Sequence, residues 1–170
     1  MKKLTFLMGI SAFILAPLLS FAEPVYSSYA PATQSQINWQ PDYNTAVSLA
    51  RSSSKPIIIL FTGTHWCPAC MKLERDVLTK PQFAEAVGDK FIFLKAEFPN
   101  YTAESIRASP FKFLLDRYQV DSFPTIIVIN PDGQTLFNVN YQPGGIEAYV
   151  NELLGKLHQM RNTPPSPNFR

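Results

Sequence analysis

The most constraining feature of the sequence is an apolar run, Ile57 to Phe61, that leads through Gly63-Thr64 into Trp66-Cys67-Pro68-Ala69-Cys70. The run is short and rich in β-branched residues, which favours a strand buried on both faces. Glycine and threonine then break the strand. Pro68 suits the first turn of a helix, where its missing N–H is not needed. The order predicts a buried strand followed directly by a helix, with Cys67 at the junction.

This junction predicts a reactive sulfur. A side chain at the start of a helix faces unpaired backbone N–H groups and the positive end of the helix dipole, and both favour a thiolate over a thiol. Cys67 is therefore the expected nucleophile. Cys70, one turn further along, is placed to attack a mixed disulfide on Cys67 and release the partner. The spacing predicts thiol–disulfide exchange.

Cys67 and Cys70 are the only cysteines in the 170 residues, which limits other uses of the pair. A closed zinc site needs four ligands and would have to recruit His65 and His158, the only histidines, at spacings unlike those of a zinc finger. A purely structural disulfide would close a loop too short to stabilise the fold much. We favour a redox pair without metal or cofactor, with these two alternatives.

The beginning of the chain predicts export. Lys2 and Lys3 precede an apolar stretch, Leu4 to Leu19, and Ser20-Phe21-Ala22 supplies small residues at the positions that signal peptidase inspects. We expect residues 1–22 to be a cleaved signal peptide, with an uncleaved membrane anchor as the alternative. Export to the periplasm would place the cysteines where they are normally oxidised.

The charge balance gives no support to two classes of partner. Without Lys2 and Lys3, 13 of the 15 basic residues remain against 13 acidic residues, so the formal net charge is close to zero. Nothing in this balance points to nucleic acid or to an anionic membrane.

Three parts are expected after the signal peptide. Residues 23–39 mix Pro, Ser, Gln and Tyr without any period and are expected to form a flexible leader. Residues 40–160 carry the patterns of strands and helices and are expected to form one domain. Residues 161–170 contain three prolines and few apolar residues, and are expected to be a disordered tail.

The strand and helix patterns of this domain predict an α/β fold, with helices on both faces of a central mixed sheet. The strand Phe91 to Glu97 follows the first strand through a helix and should pair parallel to it. Helices are expected from Pro110 to Tyr118, with Phe111 and Phe113 in the core, and from Ile146 to Leu157, with His158 at its solvated end. Further expected features are a helix with Tyr43, Ala46, Val47 and Ala50 on one face, a short helix at 101–108, and strands 126–129 and 135–140 joined by the turn Asn130-Pro-Asp-Gly133.

Taken together, the chain resembles the thioredoxin family over residues 40 to 158. The features that carry this resemblance are the Trp66 to Cys70 motif after a buried strand, the segment Tyr118 to Thr125 before another strand, and the Pro131-Asp132-Gly133 turn before a glycine pair. The resemblance implies a thioredoxin fold that acts on protein disulfides or thiols. It also implies a cis-proline at Pro124, with the Phe123 backbone pairing with a substrate peptide. An ordinary trans proline is the alternative.

The chain departs from thioredoxin proper six residues before the first cysteine, where Phe61 replaces a buried aspartate. Glu74, one helical turn past Cys70, is the candidate substitute. Its spacing resembles the C-terminal domain of DsbD-type reductases, which implies proton exchange with Cys70. The alternative is a solvated glutamate on a helix face.

Two further residues, His65 and Trp66, complete the candidate site. His65 would favour the thiolate if its charged ring reached the sulfur; the alternative is an exposed loop residue that shapes contacts. Trp66 resembles the family's flanking tryptophan, which contacts partners, and the alternative is that it covers the sheet edge.

The residues between the cysteines bear on the direction of electron flow. Strong oxidants of this fold carry a histidine there, whereas Pro68-Ala69 supplies no charge, so we expect a more reducing potential. The favoured function is a monomeric protein disulfide reductase recharged by a membrane partner. The alternatives are an oxidase and a non-catalytic peptide-binding or holdase module.

Overall fold

The computed structural model describes residues 36–140, 142 and 144–162. The expected signal peptide, most of the leader and the last eight residues lie outside this part of the chain. In chain order, the elements are β1 (Trp39–Gln40), α1 (Tyr43–Ser53), β2 (Ile57–Thr62), α2 (Pro68–Leu73), a π-helical turn (Glu74–Leu78), α3 (Pro81–Val87), β3 (Ile92–Glu97), α4 (Ala103–Ala108), α5 (Lys112–Tyr118), β4 (Thr125–Ile129), β5 (Thr135–Val139) and α6 (Gly145–Asn162). None of the described helices is both long and apolar enough to cross a bilayer.

The strands form one mixed sheet in the order β1-β3-β2-β4-β5. β2 pairs parallel with β3 and antiparallel with β4, and β4 pairs antiparallel with β5. All six residues of β2 are buried, as the apolar run predicts for a central strand. Because β2 is the central strand, its carboxyl end, and therefore the start of α2, lies midway across the sheet.

A hydrophobic core lies on each face of the sheet. Alternation along β2 sends Ile58 and Leu60 to one face and Ile59 and Phe61 to the other. The first face is covered by α2, the π-helical turn, α3 and α6, and the second by α1 and α5. The predicted α/β class and the helices on both faces are confirmed.

The turn between β4 and β5 is clamped by α5. Gly133 donates its N–H to the Asn130 carbonyl and has φ of +81°, a conformation that favours glycine. Its carbonyl accepts hydrogen bonds from Arg117 Nη2 and from the Tyr118 hydroxyl, at 3.2 and 3.1 Å. Burial, and then the hydrogen bond to Tyr43, raise the pKa of the Tyr118 phenol, so it stays a neutral donor.

Two boundaries differ from the sequence-based expectations. Ile37 is buried in the core and β1 pairs with β3, although the sequence pattern predicts a flexible leader through residue 39. A strand of two residues has no detectable period, so only its partner strand reveals it. α6 continues past Leu157 to Asn162, because no helix breaker precedes the prolines that follow.

The expectation that Phe113 lies in the core was wrong. Phe113 is 48% exposed, whereas Leu114 and Leu115 on the same helix are buried. The inner face of α5 is occupied by these leucines and Phe111, which turns Phe113 outward. Its ring packs edge-on against Tyr43, with centroids 5.6 Å apart.

Candidate active site

Cys67 lies at the end of the loop between β2 and α2. It occupies the N-cap position of α2, and Pro68 is the first helical residue. The Cys67 N–H donates to the Gly63 carbonyl at 2.9 Å. The backbone N–H of Cys70 donates to Cys67 Sγ at 3.2 Å. The helix start therefore directs a backbone donor at this sulfur, which favours its anionic form once the pair is reduced.

Cys67 and Cys70 form a disulfide bond, with Cα atoms 5.2 Å apart. Cys67 is 5% exposed and Cys70 is 1% exposed, so an incoming sulfur reaches Cys67 first. Because the sulfurs are bonded to each other, neither is available in this state as a zinc ligand. His158, which the zinc alternative would recruit, lies on α6 with Nε2 2.7 Å from the Asn162 side-chain nitrogen.

The loop before β4 lies against this disulfide. The Phe123–Pro124 peptide bond is cis, and the Phe123 carbonyl oxygen is 3.7 Å from Cys67 Sγ. A disulfide sulfur carries no proton, so this is a contact; the reduced thiol could donate to the same oxygen. The sequence motifs predict both the loop and the cysteines as parts of the site, and the fold brings them together across 56 residues of chain.

A groove of about 450 Å³ runs along the Pro124 side of the site. Ala69, between the two cysteines, lines one end of it. Its polar lining includes Asp121, Ser122, Thr125, Asn138 and Asn140. A peptide bound beside Cys67 would meet hydrogen-bonding groups on this side.

Trp66 directly precedes Cys67 and is not among the residues that line this groove. Its indole Nε1 donates to the Phe98 carbonyl at 2.8 Å, and its ring packs edge-on against Phe123 with centroids 5.5 Å apart. A Cβ on Gly63 would lie 2.3 Å from the indole ring, so a glycine is needed for the ring to lie this close to the backbone. The packing fits both interpretations of Trp66, since the ring covers the ends of two strands and also flanks the sulfur.

Tyr101 joins this group, although sequence analysis assigned it no role. Its ring centroid is 4.9 Å from that of Trp66 and 6.4 Å from that of Phe123. The sequence signal was weak, because a tyrosine after Pro99-Asn100 is typical of any surface turn. Its neighbours follow only from the tertiary structure.

His65 lies at the surface of the same loop. Its Nε2 is 3.8 Å from Glu97 Oε1, and that carboxylate also accepts a hydrogen bond from the Thr64 hydroxyl. The contacts of the described residues do not join His65 to Cys67. Its placement supports a residue that shapes contacts at the rim of the site, and direct activation of Cys67 stays a prediction.

Glu74 is largely buried and ion-paired. It opens the π-helical turn, and its Oε1 lies 2.7 Å from Lys95 Nζ, with the two side chains 22% and 21% exposed. Its Oε2 is buried and accepts no hydrogen bond within the part of the chain that the structure describes. Lys95 also lies over the Trp39 ring, 5.0 Å from its centroid. The solvated alternative was wrong, and proton exchange with Cys70 stays a prediction.

We expect Lys95→Met to destabilise the domain by about 2 kcal/mol, because it leaves the Glu74 carboxylate largely buried without its cation. The value is lower than for a fully buried pair because water reaches both groups. Adding Glu74→Gln should recover part of the loss, which urea unfolding of both variants would measure. Lys112→Met, at the more exposed pair with Asp116, is the matched control and should change stability by less than about 0.5 kcal/mol. Equal losses at the two pairs would contradict the prediction.

Comparison with known protein families identifies the family of this chain. A family model described as thioredoxin-like matches residues 38–131, which is more than half of the chain. The chain therefore belongs to the thioredoxin-like family. Its sequence motifs also resemble DsbH, and the comparison with curated proteins confirms that resemblance. The disulfide bond reductase DsbH of Chlamydia pneumoniae is 29% identical over 129 residues, covering 75% of this chain and 76% of DsbH.

A second relative matches over a smaller share of its length. The thioredoxin-related protein DsbJ of Chlamydia pneumoniae is 24% identical over 124 residues. The match covers 72% of this chain but 35% of DsbJ, so the chain spans about a third of that protein.

Solved structures of related proteins share the fold. The structure of a DsbH oxidoreductase matches with a TM-score of 0.64 at 24% identity, covering 84% of this chain and 94% of that chain. The oxidised C-terminal domain of DsbD from Neisseria meningitidis matches with a TM-score of 0.52 at 18% identity, covering 66% and 90%. Both likenesses show the thioredoxin fold.

Proposed function

We propose that this chain is a thiol–disulfide oxidoreductase of the periplasm that reduces disulfide bonds in other proteins. One observation carries the proposal: Cys67 Sγ lies at a helix start, bonded to Cys70 and 3.7 Å from the carbonyl oxygen of Phe123. This arrangement holds the more exposed of the two cysteines, its resolving partner and a backbone acceptor for a substrate strand in one place. Family membership and the similarity to the reductase DsbH support the same chemistry.

The reaction follows from the order of exposure. In the reduced protein, the Cys67 thiolate attacks one sulfur of a substrate disulfide, and the other substrate sulfur leaves with the electron pair. Cys70, as its thiolate, then attacks Cys67 Sγ in the mixed disulfide. The substrate sulfur that was bonded to Cys67 leaves with the electron pair of that bond, and the Cys67–Cys70 bond forms. The substrate gains two electrons and the protein loses two.

The direction rests on the groups that stabilise the reduced form. Pro68 and Ala69 bring no charge and no side-chain donor to the sulfurs, so the thiolate depends on backbone groups such as the Cys70 N–H. Weaker stabilisation of the thiolate makes the disulfide less oxidising. This favours a reductase over a disulfide-donating oxidase.

Location and partners complete the proposal. The basic and apolar beginning of the chain supports export with removal of residues 1–22, and we expect the mature protein to act as a monomer. Each turnover leaves the disulfide, so a donor of two electrons has to restore the dithiol. A membrane reductase is the donor that fits an exported protein.

The decisive experiment is a redox titration of the Cys67–Cys70 pair combined with an insulin-reduction assay. We expect a potential nearer to thioredoxin's, about −270 mV, than to the value of a strong periplasmic oxidant, about −120 mV, and catalysed reduction of insulin by dithiothreitol. A potential near that of the oxidant would overturn the reductase direction. Absence of any catalysed exchange, with peptide binding retained, would favour the binding module instead.

A further inference from the structure

Three aromatic rings beside the cysteines are not needed for thiol–disulfide exchange itself. Trp66, Tyr101 and Phe123 form a continuous surface, here called the aromatic face, in which each ring contacts the other two. Phe98 packs behind Phe123, with centroids 5.3 Å apart, and is fully buried. Tyr101 is the outermost member and is 63% exposed.

The segment that carries Tyr101 contributes little to the core. α4, which begins directly after it with Thr102 as N-cap, has no buried residue. Tyr101 itself contacts the domain through Trp66 and Phe123. A large ring held at the surface by two other rings leaves apolar area in water, which is unfavourable unless something covers it.

The aromatic face is fixed to the reacting sulfur. Trp66 directly precedes Cys67, and the Phe123 residue whose ring belongs to this face also presents its carbonyl oxygen to Cys67 Sγ. A protein sulfur that bonds to Cys67 would therefore bring its neighbouring residues close to the residues that form this face. Phe123 and Pro124 also line the polar groove with Ser122 and Asn138, so the same peptide would meet that groove as well.

We propose that Tyr101 is a specificity-determining residue, which selects substrate segments carrying an aromatic or large aliphatic side chain next to the reacting cysteine. The inference rests on the proposed function only in that Cys67 exchanges with protein sulfurs, whichever way electrons flow. The occupant is the substrate segment itself, because the chemistry at Cys67 brings it there. Side chains on alternate faces of an extended peptide would enter the aromatic face and the polar groove in turn.

The test measures the first exchange step alone. The full chain with Cys70→Ala is reduced and mixed with two peptides, each carrying its single cysteine as a mixed disulfide with thionitrobenzoate. One peptide has phenylalanine beside the cysteine and the other has serine. The Cys67 thiolate attacks the peptide sulfur, and the coloured thionitrobenzoate leaves with the electron pair, because it is the better leaving group. Rates are divided by those of free glutathione to remove the peptides' own reactivity.

We expect the phenylalanine peptide to react about fivefold to tenfold faster than the serine peptide, and Tyr101→Ala to reduce that ratio to about two or less. Tyr101→Phe should keep the ratio, since the ring remains. Phe113→Ala, at an exposed aromatic residue on α5 away from the site, is the matched control and should also keep it. A ratio near one in the Tyr101-containing protein, or an unchanged ratio in Tyr101→Ala, would overturn the inference. A preserved preference in a protein that fails to reduce insulin would instead overturn only the reductase function.

Discussion

Replacing Cys67 by serine is expected to lower insulin reduction at least about a thousandfold, to the rate of dithiothreitol alone, because the variant has lost its nucleophile. Cys70→Ser should also fail to turn over, but for another reason. Its Cys67 still attacks, and without the buried neighbour the mixed disulfide is not resolved. The same substitution at two positions three residues apart is thus expected to give one inert protein and one trapped intermediate.

The asymmetry follows from the site. Cys67 is the more exposed sulfur and lies beside the Phe123 carbonyl, whereas Cys70 is sealed beneath it. Non-reducing electrophoresis and mass spectrometry, after mixing each reduced variant with a disulfide-containing protein, would detect the adduct. Trapping by Cys67→Ser rather than by Cys70→Ser would reverse the assigned roles. Adducts with neither variant would remove the exchange mechanism.

Phe61→Asp is expected to destabilise the domain by about 5 kcal/mol or more, enough to abolish cooperative folding in a domain of ordinary stability. Phe61 is fully buried in β2, six residues before Cys67, where thioredoxin proper has an aspartate. Here the position belongs to the core cluster with Leu94, Ala96 and Leu114. A carboxylate there would replace ring packing with a buried charge.

The cation nearest along the strands lies on the wrong side of the sheet to help. Phe61 pairs with Ala96, whereas Lys95 pairs with Leu60. Successive side chains on a strand point to opposite faces, so Lys95 faces Glu74 rather than Phe61. In this chain, the carboxylate that we predict to exchange protons with Cys70 belongs to the π-helical turn after the cysteines and not to the strand before them.

Urea unfolding would measure the Phe61 effect. Phe61→Leu removes ring volume without burying charge and should cost about 1 to 2 kcal/mol. Phe113→Asp, at an exposed ring, should change stability by less than about 1 kcal/mol. If Phe61→Asp unfolds cooperatively with a loss below about 2 kcal/mol, the core would have to accommodate the charge. That outcome would also reopen this position as a source of protons for Cys70.

Local sequence patterns predicted much of the fold. Elements with a clear period or a clear break appear in the structure close to their expected bounds, among them the buried strand β2, the strand β3 and the Asn130–Gly133 turn. These features depend on interactions within a few residues. The patterns missed β1 and the outward orientation of Phe113, because those are decided by partners far away in the chain.

The sequence by itself determined the predicted chemistry: two cysteines in 170 residues, separated by Pro68-Ala69 at the start of a helix, indicate a redox pair. Tertiary structure decided the surroundings of that pair. In the folded chain, the Phe123 carbonyl lies beside Cys67 and Glu74 pairs with Lys95. The ring of Tyr101 packs against that of Trp66. The physical reason is range. A helix start and its dipole act on the residue next to them, whereas contacts between residues 21 to 56 positions apart exist only after the sheet and its helices have packed.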